Sequence, residues 1–154
     1  MRAIIDSDPY TYIAGPFFNT YQIRAVEDVK EILLLNHIDF FSPKDECLFK
    51  QGETTPHQVL KMNIEALEKA KLLVCITDGK DPGTMFEAGW AYANHIPIIY
   101  VWFTGVKEQK FNLVLAASGS VVRTLEQLNS AIEDIKATGR FVAKHWDSGE
   151  INYE

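Results

Sequence analysis

Two apolar runs constrain this chain more than any other feature. Leu72-Leu-Val-Cys-Ile-Thr77 and Ile96-Pro-Ile-Ile-Tyr-Val-Trp-Phe103 show no apolar–polar alternation. A strand with one wet face alternates; a run without alternation belongs to a strand covered on both faces. Such cover comes from helices placed between strands, and the rest of the chain supplies that order. Tyr10–Gly15 is a short apolar run ending in Gly-Pro, a strand and then a turn. Tyr21–His37 sets Ile23, Val26, Val29, Ile32 and Leu33 at helical spacing, and Asp39–Ser42 is a second short strand stopped by Pro43. Pro56–Ala70 is helical through Val59, Met62, Leu67 and Ala70; Thr84–Asn94 and Leu125–Ala137 are further helices, and Val121-Val122 is a short fifth strand. Lys44–Thr55 and Asp78–Gly83 read as loops.

This alternation predicts an α/β fold: a five-stranded parallel doubly wound sheet, flavodoxin-like or Rossmann-like, as a single domain over residues 1–154. A net charge of −6, from 15 Lys+Arg against 21 Asp+Glu, argues against a nucleic-acid partner, which needs a basic face. No apolar stretch approaches the ~20 residues of a membrane span, and Met1-Arg-Ala-Ile-Ile-Asp is not a secretory leader. Cys47 and Cys75 are too few for a disulfide framework, so a reduced, cytoplasmic setting is expected. His37, His57, His95 and His145 are scattered without metal-ligand spacing. Neither a metal nor a cofactor is expected.

In open α/β sheets, ligands bind beyond the carboxyl ends of the strands. That rule selects Gly15–Asn19, Ser42–Glu46, Thr77–Glu87 and Thr104–Asn112. The richest stretch is Asp78-Gly-Lys-Asp-Pro-Gly-Thr-Met-Phe-Glu-Ala-Gly-Trp-Ala. Thr84 is placed to cap the helix that begins there, and Glu87, three residues on, has the spacing of a capping box. Glu87 therefore has two readings: a helix cap, or a partly desolvated carboxylate poised as nucleophile or general base. In Tyr12-Ile-Ala-Gly-Pro-Phe-Phe, Ala14 and Gly15 permit close approach of a ligand, and Phe17 and Phe18 offer flat faces, as base-stacking residues or as core. No glycine-rich phosphate loop exists; Ser118-Gly-Ser120 is a small polar loop, an anion site or a plain turn.

Together these segments resemble the nucleoside 2-deoxyribosyltransferase family. The matching pieces are Tyr12-Ile-Ala-Gly-Pro-Phe-Phe, Phe41-Ser-Pro-Lys-Asp-Glu, Asn63-Ile-Glu-Ala-Leu-Glu-Lys-Ala-Lys-Leu-Leu-Val, Asp81-Pro-Gly-Thr-Met-Phe-Glu-Ala-Gly-Trp-Ala and Phe111-Asn-Leu-Val-Leu-Ala. The resemblance implies double displacement at C1′ of a deoxynucleoside, with a nucleoside and a free nucleobase as partners. It implies that Glu87 is the nucleophile, that Asp81 holds the sugar hydroxyls and that Tyr12 orients the nucleophile. It implies too that Asn112 reaches a neighbouring subunit's site, so that the protein is a homo-oligomer, dimer or hexamer. Trp90, Tyr92, Trp102 and Phe103 are many large aromatics for a small sheet protein, and some should be left for such an interface.

The sequence departs from the family's pattern at Asn63, where an aspartate that handles the base and its proton is expected. Asparagine keeps hydrogen bonds but supplies no proton. Asp45, Glu46 or Asp78 then becomes the candidate acid, and these join Gly15, Phe17, Asn63, Gly83 and Asn112 as substrate-contact candidates. Two alternatives to transfer stand beside it. One is an N-glycoside hydrolase of (deoxy)nucleoside 5′-monophosphates, for which Ser118–Ser120 and Arg123 would serve the phosphate. The other is a nucleoside- or nucleotide-binding module with little turnover.

Overall fold

The computed structural model describes residues 10–103, 111–142 and 151–152. In chain order the elements are β1 (Thr11–Ala14), α1 (Thr20–Leu35), β2 (Phe40–Phe41), α2 (Pro43–Glu46), α3 (Pro56–Lys69), β3 (Leu72–Ile76), α4 (Pro82–Ala93), β4 (Ile98–Val101), β5 (Phe111–Asn112), α5 (Leu113–Ser118), β6 (Ser120–Val122), α6 (Leu125–Thr138) and β7 (Ile151–Asn152). β2, β1, β3, β4 and β6 form one five-stranded sheet in that order, every pair parallel. β5 and β7 pair as a separate two-stranded ribbon. From β1 the chain steps to β2 on one side and then to β3 on the other, so the topological switch lies between β1 and β3.

Local sequence explains the helix starts. Asn19 caps α1 by accepting from Gln22 N at 2.9 Å. Thr55 and Gln58 form a reciprocal capping box on α3, with Pro56 where no backbone N–H is needed. α6 ends at Gly139, whose φ of 66° is the left-handed conformation that stops a helix.

Successive strand residues enter different cores. Ile13, Val74, Ile76, Ile99 and Val101 face α1 and α6, with Val26, Val29, Leu33, Leu128 and Ile132. Tyr12, Ala14, Leu73, Cys75, Ile98 and Tyr100 face α3, α4 and α5, with Ala66, Leu67, Ala88, Ala91 and Ala116. The central runs are therefore apolar at every position because both faces are covered.

Three expectations are corrected. The strand expected over Ile96–Phe103 is only Ile98–Val101, because Ile96 N closes the end of α4 on Ala91 O at 2.9 Å and Phe103 N turns to the Asp78 carboxylate at 3.1 Å. The Lys44–Thr55 loop begins inside a helical turn, α2, which starts at Pro43 after Ser42. Of the four aromatics, Trp102 is buried and not available for an interface, while Trp90 and Phe103 are half-buried against the cores and Tyr92 is exposed. Of the expected ligand-edge segments, residues 104–110 lie outside the described residues. Among the described residues no helix is long and apolar enough to cross a membrane.

Candidate active site

The site begins where β3 ends. Lys80 N bonds back to Thr77 O at 3.1 Å, closing a turn in which Gly79 has φ of 86°. Glycine suits that position because a side chain there meets backbone sterics, and its Cβ would also lie 3.0 Å from Gln22 Nε2. The chain then enters α4 at Pro82. Asp81, not Thr84, caps this helix: its Oδ2 accepts from Thr84 N at 2.8 Å and from Thr84 Oγ1 at 2.9 Å. The reason is Pro82, which occupies the first helical position and moves the cap one residue before itself. Thr84 is consequently buried inside the first turn.

This relocation separates the two readings of Glu87. No capping box forms at Thr84, and Glu87 projects from α4 toward the sheet, where its charge reaches Tyr12, Cys47 and Cys75. Burial raises the titration of all three, and the neighbouring carboxylate raises it further. No hydrogen bond of ordinary geometry reaches the buried Tyr12 hydroxyl. The phenol nevertheless sits close enough to Glu87 for the two to shift one another. Burial pushes the Glu87 carboxyl up to about 7, the Tyr12 hydroxyl draws it back, and the Asp81 charge raises it again. A carboxylate titrating near neutrality beside an open cavity is a pattern of functional sites.

The cavity measures about 410 Å³, room for a small heterocyclic glycoside. Three walls meet there. β1 and its turn supply Gly15, Pro16, Phe17 and Phe18; the β3–α4 turn supplies Asp81, Gly83, Thr84 and Glu87; α2, the loop after it and α3 supply Pro43, Cys47, Leu48, Phe49, Val59 and Asn63. Phe17 and Phe18 stack with centroids 5.5 Å apart. Gly15 is tight against β3: a Cβ there would lie 3.0 Å from Ile76 Cβ. A Cβ on Gly83 would lie 3.2 Å from Asp81 Oδ2, so glycine keeps that carboxylate uncrowded. The Oδ1 of Asn63 is buried and has no hydrogen-bond partner.

The structure thus brings Gly15, Phe17, Asn63, Asp81, Gly83 and Glu87 to one cavity, with Tyr12 directly behind Glu87. It places four other candidates elsewhere. Asp45 is exposed and ion-paired with Lys30 and with Lys44, the latter at 3.2 Å. Partial burial works against ionisation of Asp45, but the hydrogen bonds from Lys30 and Lys44 prevail and hold its carboxyl low. Glu46 is exposed beside Tyr10. Asp78 receives Phe103 N at the end of β4, and Asn112 caps α5 by accepting from Val114 N and Leu115 N. Ser118–Ser120 lies at the opposite edge of the sheet from the cavity. Gly119 is packed so closely that a Cβ would fall 2.4 Å from Ile98 O, while Ser118 Oγ meets Tyr100 Oη at 2.6 Å. Arg123 sits over the Trp102 ring, 4.6 Å from its centroid. Sequence reasoning did not single out Leu48, Phe49 and Val59. Leu48-Phe49 shows only as an apolar pair inside an otherwise polar loop, and Val59 only as an apolar position of the predicted helix. Among the described residues no three His, Cys, Asp or Glu group as a metal site would require.

A family model for nucleoside 2-deoxyribosyltransferase matches residues 11–125, most of the chain. The chain belongs to the nucleoside 2-deoxyribosyltransferase family. A search of curated proteins gives no match. Among solved structures, a conserved protein from Enterococcus faecalis aligns with TM-score 0.72 at 23% identity, covering 83% of this chain and 99% of that one. A 2-deoxyribosyltransferase from Bacillus psychrosaccharolyticus aligns with TM-score 0.67 at 23% identity, covering 78% of this chain and 90% of that one. A CMP N-glycosidase from Clostridium botulinum aligns with TM-score 0.56 at 16% identity, covering 80% and 98%. At these identities the likenesses show a shared fold. Every residue lining the cavity falls within the segment matched by the nucleoside 2-deoxyribosyltransferase family.

Proposed function

We propose that this chain transfers a 2-deoxyribosyl group between nucleobases through a covalent glycosyl–Glu87 intermediate. A Glu87 oxygen attacks C1′, the C1′–N bond breaks, and its electron pair leaves with the base. An incoming base then attacks the same carbon and releases Glu87. Splitting the substitution into two displacements at an oxocarbenium-like centre lowers each barrier and retains configuration overall. Asp81 binds the sugar hydroxyls, and Tyr12 steadies the Glu87 carboxylate from behind. The observation that carries this reading is the pairing of Glu87 with Asp81 in one cavity within a member of this family.

Among the described residues lining the cavity there is no Lys, Arg or His, which favours an uncharged nucleoside over a 5′-monophosphate. A second copy of the chain belongs to the proposal. α4 leaves Phe86 and Tyr92 54% and 61% exposed, and Asn112 serves the site only from a neighbour. The test is incubation with deoxyuridine and adenine, with and without a 5′-phosphate on the donor, read by chromatography alongside light scattering. Deoxyadenosine formed from the unphosphorylated donor by an oligomer is the expected result. Hydrolysis of the phosphorylated donor without exchange would replace transfer by N-glycoside hydrolysis, silence would favour a binding module, and an active monomer would remove Asn112 from the site.

A further inference from the structure

The wall built by α2, its following loop and α3 is apolar except for one group, the Asn63 amide among Cys47, Leu48, Phe49 and Val59. Its Oδ1 is buried without a partner, an arrangement that costs free energy until a donor faces it. A flat heterocycle carrying N–H and C=O groups supplies that donor, so this wall fits the base and the carboxylate wall fits the sugar.

Among the described residues, no acidic side chain at this end of the cavity is placed to give the base a proton. Glu87 must be ionised to attack carbon. Asp81 Oδ2 is engaged by both the amide and the hydroxyl of Thr84. The Cys47 thiol is held up by burial and by the charges of Glu87 and Glu46, and it points to Val59 O at 3.7 Å. The Tyr12 phenol lies behind Glu87 and is likewise a weaker acid than a free one. Asp45 and Asp78 are committed to Lys30, Lys44 and Phe103 N away from the cavity, and Glu46 is exposed beside Tyr10 and does not line it. Asparagine itself does not ionise.

We infer that Asn63 seats the base by hydrogen bonding but gives it no proton, so the base departs as an anion. The substrate class follows. Nucleosides of 2,4-dioxopyrimidines, whose anions spread charge over two ring carbonyls, are cleaved ahead of those of 4-aminopyrimidines. The inference rests on the transfer reading above. In the first step the C1′–N electron pair stays on the ring nitrogen, and the released anion takes its proton from water. In the second, the acceptor base loses its N–H proton to water as it bonds to C1′.

Single-turnover cleavage of 5-fluorodeoxyuridine, deoxyuridine, thymidine and deoxycytidine by the wild type and by Asn63→Asp tests this. The wild-type rate falls in that order as the leaving base becomes more basic. Asn63→Asp places a carboxyl near Glu87, where two carboxylates resist ionising together, so that it stays protonated and can donate. The order then flattens, and deoxycytidine gains about a hundredfold, the low end of what a placed general acid supplies. Equal wild-type rates on all four donors would overturn the inference, because a proton would be coming from another group. A wild-type slope that Asn63→Asp leaves unchanged would remove Asn63 from the base end. Should Asn63→Asp fail to fold, Asn63→Ser serves in its place: it should weaken KM for every donor and keep the slope, and an unchanged KM would overturn the seating role. Absence of cleavage with any donor is a different failure, that of the transfer reading itself.

Discussion

The two faces of the central sheet are made by the same strands, one residue out of step, yet they end differently. On the α1–α6 face, Ile13, Val74, Ile76, Ile99 and Val101 meet Val26, Leu33, Leu128 and Ile132 in an apolar core, with Asn36 donating to Asn129 between the two helices at 2.7 Å. On the α3–α4 face, small residues (Ala14, Ala66, Ala88, Ala91) let the helices approach closely, while Tyr12, Cys47 and Cys75 bring polar atoms into the packing. No residue of that first core lines the candidate site. The second stays open at the carboxyl end of β1 and β3, where the Tyr12 hydroxyl and an unpartnered Asn63 Oδ1 lie beneath and beside a carboxylate that burial holds near neutrality. The candidate site thus draws on one core and not on the other.

The largest effect that would break this division is at Glu87. Glu87→Gln should lower turnover by several orders of magnitude, as loss of a covalent nucleophile does. It should also stabilise the fold at alkaline pH. A carboxyl moved from its ordinary value of 4.5 to about 7 makes the ionised folded state unfavourable. The penalty is absent below the unfolded value and complete above the folded one, so wild-type stability falls as pH rises between them. At about 1.4 kcal/mol per unit, and discounted for partial exposure, the cost at pH 8 is on the order of 2–3 kcal/mol. Denaturant unfolding of both proteins at pH 5 and pH 8 should show the gap opening only at the higher pH; equal stability at both would mean Glu87 is not desolvated.

Next is the α1–α6 face. Ile99→Ala, at a fully buried position against α1 and α6, should cost about 2–5 kcal/mol while leaving the turnover of the folded fraction unchanged. Val59→Ala, on the cavity wall, should cost about 1 kcal/mol or less and act on KM instead. Thermal unfolding alongside Michaelis kinetics checks both, and the division fails if Ile99→Ala changes KM.

Tyr12→Phe should act more gently and with a pH signature. Its hydroxyl is the one influence that draws the Glu87 carboxyl back from the elevation set by burial and Asp81. Without it the carboxyl titrates higher, and the acid limb of kcat/KM moves to higher pH. The variant should therefore lose more activity at pH 6 than at pH 9. A uniform loss would make Tyr12 a packing residue.

How far this division could be read from sequence varies with the range of the interaction involved. β3, α3 and α6 were legible within a residue or two, because continuous apolar runs, helical spacing and caps such as Thr55 are local signals. The α4 start was misplaced because Thr84 and Asp81 are both good caps, and only the position of Pro82 favours Asp81. The convergence of Glu87, Asp81 and Asn63 on one cavity, with Tyr12 adjoining, follows the motif order. The fates of Asp45 and Asp78 were not, since each is decided by a partner far along the chain: Lys30 for Asp45, and Phe103 N for Asp78. Leu48, Phe49 and Val59 were missed for the same reason, as a wall assembled from a loop and a helix has no period.

The smallest effect expected is at Asp45. Asp45→Asn removes an exposed carboxylate paired with Lys30 and Lys44, a type of pair worth about 0–1 kcal/mol. Turnover should change less than twofold. A large loss in kcat would return Asp45 to the site as a proton donor.

The central claim, that Glu87 attacks the anomeric carbon, is tested most directly by trapping. A 2-fluoro-substituted donor slows the second displacement and lets the glycosyl-enzyme accumulate. Mass spectrometry of the quenched, proteolysed protein should show the added sugar on the peptide containing Glu87, and no adduct in Glu87→Gln. An adduct on another residue, or full release of the base with no adduct on the protein, would contradict the account.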